Sequence, residues 1–171
     1  MGLPEERPAR RPATDAEARA LASGLRLQIL RLTLDEALTN KEIAERLDKN
    51  PATVLHHVRT LVDTGFLHAE PVRRGTRGSR EVPYRATGKS WTLEAAGAGR
   101  AVLDAFLGEA GQVPLDDIET TRLGLRLTAE EVEELRRRLQ QLFDEFASRP
   151  HASGAEPWSL FLAMHPDAGR R

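Results

Sequence analysis

The sequence contains no cysteine. This absence excludes disulfide bonds, thiolate metal sites and cysteine nucleophiles, and it fits a reducing compartment. Long apolar runs are also missing, since none reaches the roughly 18 residues of a membrane helix, and no signal peptide opens the chain. We therefore expect a cytoplasmic protein without a membrane partner.

Motifs of enzymatic chemistry are missing as well. The sequence has no Gly-rich phosphate loop, no nucleophile elbow and no paired carboxylates in an interpretable setting. The scattered histidines His68, His151 and His165 lack the spacing of metal ligands. The sequence thus predicts no enzyme, no cofactor and no metal site.

Charged residues, 30% of the chain, are divided unevenly. Residues 1–91 contain 16 Lys and Arg against 12 Asp and Glu, whereas residues 92–171 contain 9 against 14. This division predicts a first part that can approach a polyanion and a second part that avoids one. Residues 1–13 hold three prolines and three arginines, which predicts a disordered arm. Its arginines either contact phosphates or belong to a solvated tail.

Four helices are predicted between residues 14 and 64. Capping boxes at 14–17 and 39–42 begin the first and third helices. The second helix, about 24–36, is apolar on nearly all sides and should be the buried spine of its domain. Asn50 as N-cap and Pro51 at the first helical position begin the fourth.

The fourth helix has two unlike faces. Its inward stripe comprises Val54, Val58, Leu61 and Val62. No acidic residue occurs from residue 51 to residue 62, and the remaining side chains can donate to phosphates or contact base edges. These side chains are Ala52, Thr53, Leu55, His56, His57, Arg59 and Thr60.

His56 and His57 are also candidates for metal ligands. Adjacent helical residues diverge by about 100°, so the two rings cannot share one ion from one face. We expect at least one of them to contact DNA, and the other interpretation is a ring packed on the wing or solvated.

A β-hairpin follows the fourth helix. Residues 66–72 and 81–86 alternate as strands, and the tip between them carries Arg73, Arg74, Arg77 and Arg80. A basic cluster beside a recognition helix indicates phosphate or minor-groove contacts. The alternative is a solvated charge run.

The stretches LRLQIL (25–30) and LTNKEIAERLDKNPATVLHHVRTLVDTGFL (38–67), with the wing ending at Tyr84, resemble ArsR-type bacterial transcriptional regulators. The resemblance covers about 60 of the 171 residues and implies a winged helix-turn-helix that binds double-stranded DNA. It also implies repression. Where the family has a small polar residue, this chain has Leu55, which would then contact a thymine methyl. Without cysteine, the thiolate metal sites of that family are excluded.

The resemblance places the fourth helix in the major groove. The residues expected nearest DNA are Asn50, Ala52, Thr53, Leu55, His56, His57 and Arg59, with Thr60 on the same face. Lys41 and the four wing arginines are expected to hold the DNA backbone.

The last 80 residues exceed the single dimerisation helix of smaller family members. We predict a helix over 91–110, strands over 119–127 and 158–164, and a helix over 128–148 between the strands. Two strands alone are unstable, so this layer should pack on a second subunit. The alternatives are an intramolecular cover by the helices at 14–22 and 91–110 in a monomer, or a layer that holds a small apolar ligand.

The predicted fold class is α+β, mainly α. It comprises a disordered arm (1–13), a winged helix-turn-helix domain (14–90) and a carboxyl-terminal helix with a small β-α-β dimerisation or effector layer (91–171). The first hypothesis is a homodimeric DNA-binding regulator, with a small-molecule effector left open. The alternative is a protein-interaction module that kept the fold and lost DNA binding.

Overall fold

The computed structural model describes residues 11–75, 78–94, 99–149 and 154–170. The chain divides into two compact units. Among the described residues, the amino-terminal unit runs to Pro114 and the carboxyl-terminal unit begins at Leu115.

Five helices belong to the amino-terminal unit. They are α1 (Asp15–Leu21), α2 (Gly24–Leu32), α3 (Asn40–Arg46), α4 (Pro51–Asp63) and α5 (Gly99–Ala110). Thr14 and Thr39 each complete the predicted capping box with the Glu three residues later. The second helix ends at Leu32 rather than near residue 36, and the Thr33 hydroxyl that follows donates to the carbonyl oxygens of Ile29 and Leu30.

The core of this unit gathers apolar side chains from α1 to α4 and the strands that follow. Its fully buried members include Ile29, Ile43, Val54, Val58, Leu61 and Phe66. Helix α5 packs against α2 at Gly24, where an added Cβ would lie 3.4 Å from the backbone nitrogen of Ala105. An ion pair of 2.9 Å between Arg31 and Glu109 joins the same two helices.

Short strands complete the winged helix. The strands β2 (Leu38–Thr39), β6 (Pro83–Ala86) and β3 (Leu67–Ala69) form an antiparallel sheet in that order. The strands β4 (Arg73–Arg74) and β5 (Arg80–Glu81) pair beyond them as the outer part of the hairpin. The predicted strand over 66–72 is shorter because Pro71 lacks an N–H for the ladder.

The start of the chain differs from prediction at two residues. Arg11–Pro12 forms β1, which pairs in parallel with β7 (Leu93–Glu94). The predicted disorder over 1–13 is therefore wrong at Arg11 and Pro12, while residues 1–10 lie outside the described residues. The Arg11 guanidinium also makes two hydrogen bonds to the Glu17 carboxylate, at 2.7 and 2.9 Å.

Lys89 links the carboxylate of Glu17 to the end of α4. It lies on a 3₁₀ turn (Lys89–Thr92), and its ammonium is 2.8 Å from Glu17. The same ammonium donates to the carbonyl oxygen of Thr64 at 2.7 Å and lies over the Phe66 ring. The helix predicted over 91–110 was wrong at residues 91–94, which belong to this turn and to β7, and residues 95–98 lie outside the described residues.

The carboxyl-terminal unit has one long helix, α6 (Ala129–Ser148), begun by a capping box of Thr128 and Glu131. The predicted β-α-β layer is not formed. Within the described residues, neither 119–127 nor 158–164 is paired as a strand. A strand exists only where another segment accepts its backbone hydrogen bonds, and the pattern of side chains alone does not supply that segment.

No described helix has both the length and the apolar character needed to cross a membrane.

Candidate nucleic-acid interface

The turn between α3 and α4 is fixed by two asparagines. The side chain of Asn50 accepts a hydrogen bond of 2.8 Å from the backbone of Ala52, which caps α4. The amide of Asn40, at the start of α3, donates to the carbonyl oxygen of Pro51 at 2.9 Å. Asp48 in the turn adopts a positive φ of 49°. The two helices are thus joined directly at their amino-terminal ends.

Helix α4 presents its predicted polar face outward. Val54, Val58 and Leu61 are fully buried, so the opposite side of the helix faces away from the core. The outward residues expected from the sequence are brought onto this side. Asn50, Ala52, Thr53, His56 and Arg59 are exposed, and Leu55 and Thr60 are half-buried.

His57 lies at the flank of this face. Its Nδ1 is 3.3 Å from Nη1 of Arg26 on α2. A guanidinium only donates, so Nδ1 accepts and Nε2 carries the hydrogen. Burial, the charge of Arg26 and then that of His56 lower the pKa of His57. These effects favour the neutral form of His57, in which Nε2–H is a donor.

Arg26 was not expected from the sequence as a residue of this region. Besides His57, its guanidinium bonds the carbonyl oxygens of Arg19 and Ala20 at the end of α1. One side chain therefore ties α1, α2 and α4 together. The available signal was a cation within a largely apolar helix, but its partner His57 is 31 positions away in the sequence.

The wing is fastened to α3 by Arg73. Its guanidinium lies 2.6 Å from Glu42, the carboxylate of the α3 capping box, and 3.6 Å from Glu81 on β5. Burial disfavours the charged form of Glu42, but hydrogen bonds from Thr39 and Arg73 outweigh it and lower its pKa. Arg73 is therefore engaged within the protein, unlike its neighbour on β4.

Three other arginines of the predicted interface are unengaged. Within the described part of the chain, Arg59, Arg74 and Arg80 form no ion pair, and all three are exposed. Lys41, also predicted, is exposed on the first turn of α3 and lies 3.8 Å from Glu45. The predicted Arg77 lies outside the described residues.

Metal ligands do not gather at this face. Among the residues that the structure describes, no group of three His, Asp or Glu side chains is placed to hold an ion. The rings of His56 and His57 approach edge to face with centroids 5.6 Å apart. The arrangement offers hydrogen-bond donors and positive charge.

Comparison with known proteins supports the arrangement at the level of the domain. The family described as "Helix-turn-helix domain" matches residues 21–70. None of the curated proteins compared with the chain matches it.

Solved structures similar to the chain superimpose on it only in part. Reduced HlyU from Vibrio cholerae has 21% identity over 56% of this chain and 84% of its own, with a TM-score of 0.35. A C30AH42A mutant of ZitR from Lactococcus lactis, in apo form, has 25% identity over 75% of this chain and 86% of its own, with a TM-score of 0.35. Wild-type ZitR in complex with DNA has 23% identity over 72% of this chain and 74% of its own, with a TM-score of 0.33. The family match and the joined helices α3 and α4 together assign residues 21–70 to a helix-turn-helix domain. The β-hairpin that follows α4 is its wing.

Proposed function

We propose that the protein is a sequence-specific DNA-binding transcription regulator. The observation that carries this proposal is the outward face of α4 from Ala52 to Thr60, which has no acidic side chain before Asp63 at the end of the helix. Arg59 on this face and Arg74 and Arg80 on the wing of the same unit form no ion pair within the described residues. A solvated surface helix ordinarily mixes charges of both signs. A face of small groups, imidazoles and a guanidinium suits phosphates and base edges in the major groove.

The proposed roles follow from where each side chain lies. His56 and Arg59 are exposed donors on α4 and would read base edges, with Leu55 against a thymine methyl. Arg74 and Arg80 on the wing would contact phosphates. His57 would donate through Nε2 only, since Arg26 occupies Nδ1.

We further propose a homodimer that represses transcription from an inverted repeat, in the manner of ArsR-type regulators. A two-fold dimer of such domains selects half-sites about one helical turn, roughly 34 Å, apart. This assignment to the ArsR type rests on the resemblance of residues 25–84.

Selection of bound sites from a random duplex pool tests the proposal directly. The expected result is enrichment of an inverted repeat with one-turn spacing. On the selected site, Arg59→Ala should weaken binding by about 1–3 kcal/mol if it loses a base contact. Arg100→Ala removes an equal charge from an exposed position on α5 and serves as the control.

Failure to enrich any sequence would contradict the proposal. Binding that is equal for all duplexes and unchanged by Arg59→Ala would do the same. In that case the alternative, a winged-helix module for protein partners, gains support if a partner binds regardless of Arg74 and Arg80.

A further inference from the structure

The carboxyl-terminal unit exposes apolar side chains in two segments flanking α6. Leu123, Leu125 and Leu127 precede the helix, and Trp158, Leu160, Leu162 and Met164 follow it. Trp158 and Leu160 are 78% and 76% exposed. Soluble proteins rarely leave so many large apolar groups in contact with water unless another molecule covers them.

The later segment is self-complementary in sequence. Residues 158–164 read W-S-L-F-L-A-M, which places Trp and Met at the ends, Ser and Ala inside them, and two Leu around Phe161. In an antiparallel pair related by a two-fold axis at Phe161, Leu160 faces Leu162 of the other copy, and Ser159 faces Ala163. No charged residue occurs from 158 to 164, so no like charges meet.

Prolines fix the limits of this pairing. Pro157 and Pro166 stand just outside the segment and cannot donate to a ladder. A shift by one residue would also turn every apolar side chain to the opposite face. Among the registers that keep the two alternating patterns aligned, the one centred on residue 161 pairs all seven residues from 158 to 164.

The uneven exposure of the segment fits the same pairing. Leu162 and Met164 line one groove with Leu139 and Phe143 of α6, whereas Trp158 and Leu160 stand in water. Antiparallel pairing sets Trp158 and Leu160 of one copy beside Met164 and Leu162 of the other, which are 44% and 50% exposed. Directly opposite residues share a face, so Trp158 and Leu160 would then extend the layer over α6 of the second copy.

We propose that residues 158–164 form a β-strand only when two copies of this chain associate, pairing with the same segment of the second copy about Phe161. This inference rests on the proposed homodimer and names its contact. In this proposal a single chain supplies one strand of a two-stranded ladder, and the second copy supplies the other.

Disulfide trapping tests the register, and the absence of native cysteine makes every bond attributable. Full-length Ser159→Cys and Ala163→Cys variants are prepared, one carrying an affinity tag, then mixed and oxidised. Opposite residues have Cα atoms about 4.5–5.5 Å apart, within disulfide range. A cross-linked heterodimer is expected in the mixture. Neither variant alone should cross-link, because two copies of residue 159 would lie about 13 Å apart along the strands.

A mixture of Lys49→Cys with Ala163→Cys serves as the control and should not cross-link. If each variant alone cross-links as readily as the mixture, or if the mixture does not cross-link, the register is overturned. Sedimentation and binding to the selected duplex are measured on the same samples. A dimer that binds the duplex without cross-linking would overturn this contact and leave the proposed function standing.

Charge insertion supplies an independent measurement. Leu160→Glu places a carboxylate in the paired layer and should dissociate the dimer while the unfolding of the amino-terminal unit is unchanged. Leu115→Glu is the matched control, since Leu115 is 79% exposed but lies outside both segments. Equal effects of the two substitutions on sedimentation would overturn the proposal.

Discussion

The guanidinium of Arg73 lies 2.6 Å from the carboxylate of Glu42, so a strand of the wing is fastened to the side chain that caps α3. Arg74, the next residue on β4, has no such partner within the described residues. The two adjacent arginines of β4 therefore differ: Arg73 pairs within the fold, whereas Arg74 faces solvent.

Alanine substitution should separate these two arginines. Arg73→Ala loses exposed ion pairs and should lower the free energy of unfolding by about 0.2–1 kcal/mol. Arg74→Ala should leave that free energy unchanged and reduce the salt dependence of DNA binding by about one unit of slope. Thermal unfolding and binding titrations at several salt concentrations measure both. Identical behaviour of the two variants would contradict the distinction.

Two substitutions of Asn50 distinguish its structural role as the cap of α4 from its proposed contact with DNA. Asn50→Ala removes the cap of α4 and should cost about 1 kcal/mol of stability. Asn50→Asp keeps an accepting oxygen, and its charge is favourable at a helix amino terminus, so stability should be retained. The same charge should repel a nearby duplex. Chemical denaturation and DNA affinity distinguish the variants, and an Asn50→Asp protein with undiminished affinity would remove Asn50 from the interface.

Arg26 should control the protonation of His57. The pKa of His57 is lowered by burial and by the adjacent guanidinium. Arg26→Met removes the charge, so the pKa of His57 should rise toward its ordinary value, measured by NMR titration of the ring. Arg46→Met, which removes an arginine paired with Glu36 instead, should leave the His57 titration unchanged. An unchanged pKa of His57 in Arg26→Met would show that burial and the charge of His56 set it without Arg26.

Glu17 should make the stability of the amino-terminal unit sensitive to acid. Hydrogen bonds from Arg11, Lys89 and Thr14 hold the pKa of Glu17 well below its ordinary range. A lowered folded-state pKa stabilises the fold above the unfolded value, about 4.3, and this contribution is lost as the pH falls below it. Glu17→Gln should therefore unfold more easily at neutral pH.

The measurement that checks this is the unfolding midpoint of wild type and of Glu17→Gln at a series of pH values. Wild type should lose stability more steeply than Glu17→Gln as the pH falls from 5 toward 2. Parallel profiles would mean that other carboxylates account for acid unfolding.

The sequence predicted the amino-terminal unit well because its signals are local. A capping box spans four residues, and the inward stripe of α4 repeats within one helix, so Thr39, Val54 and Val58 could be assigned without knowing their partners. Arg26 could not be assigned, because its contact to His57 depends on how α2 and α4 pack.

The segments around α6 show the opposite case. Their alternation predicted strands, but a strand also requires a hydrogen-bonding partner, and the single chain does not pair them. The pairing of Arg11–Pro12 with β7 was missed for the same reason, since two residues carry no periodic signal.

Helix α4 is held at both ends by side chains from other elements. Asn40 bonds the carbonyl oxygen of Pro51 at its start, and Lys89 bonds that of Thr64 at its end. Rotation or fraying of the helix would break one of these bonds. The helix is therefore preorganised: its orientation is set during folding, and little conformational entropy remains to be lost when a partner docks on its outward face.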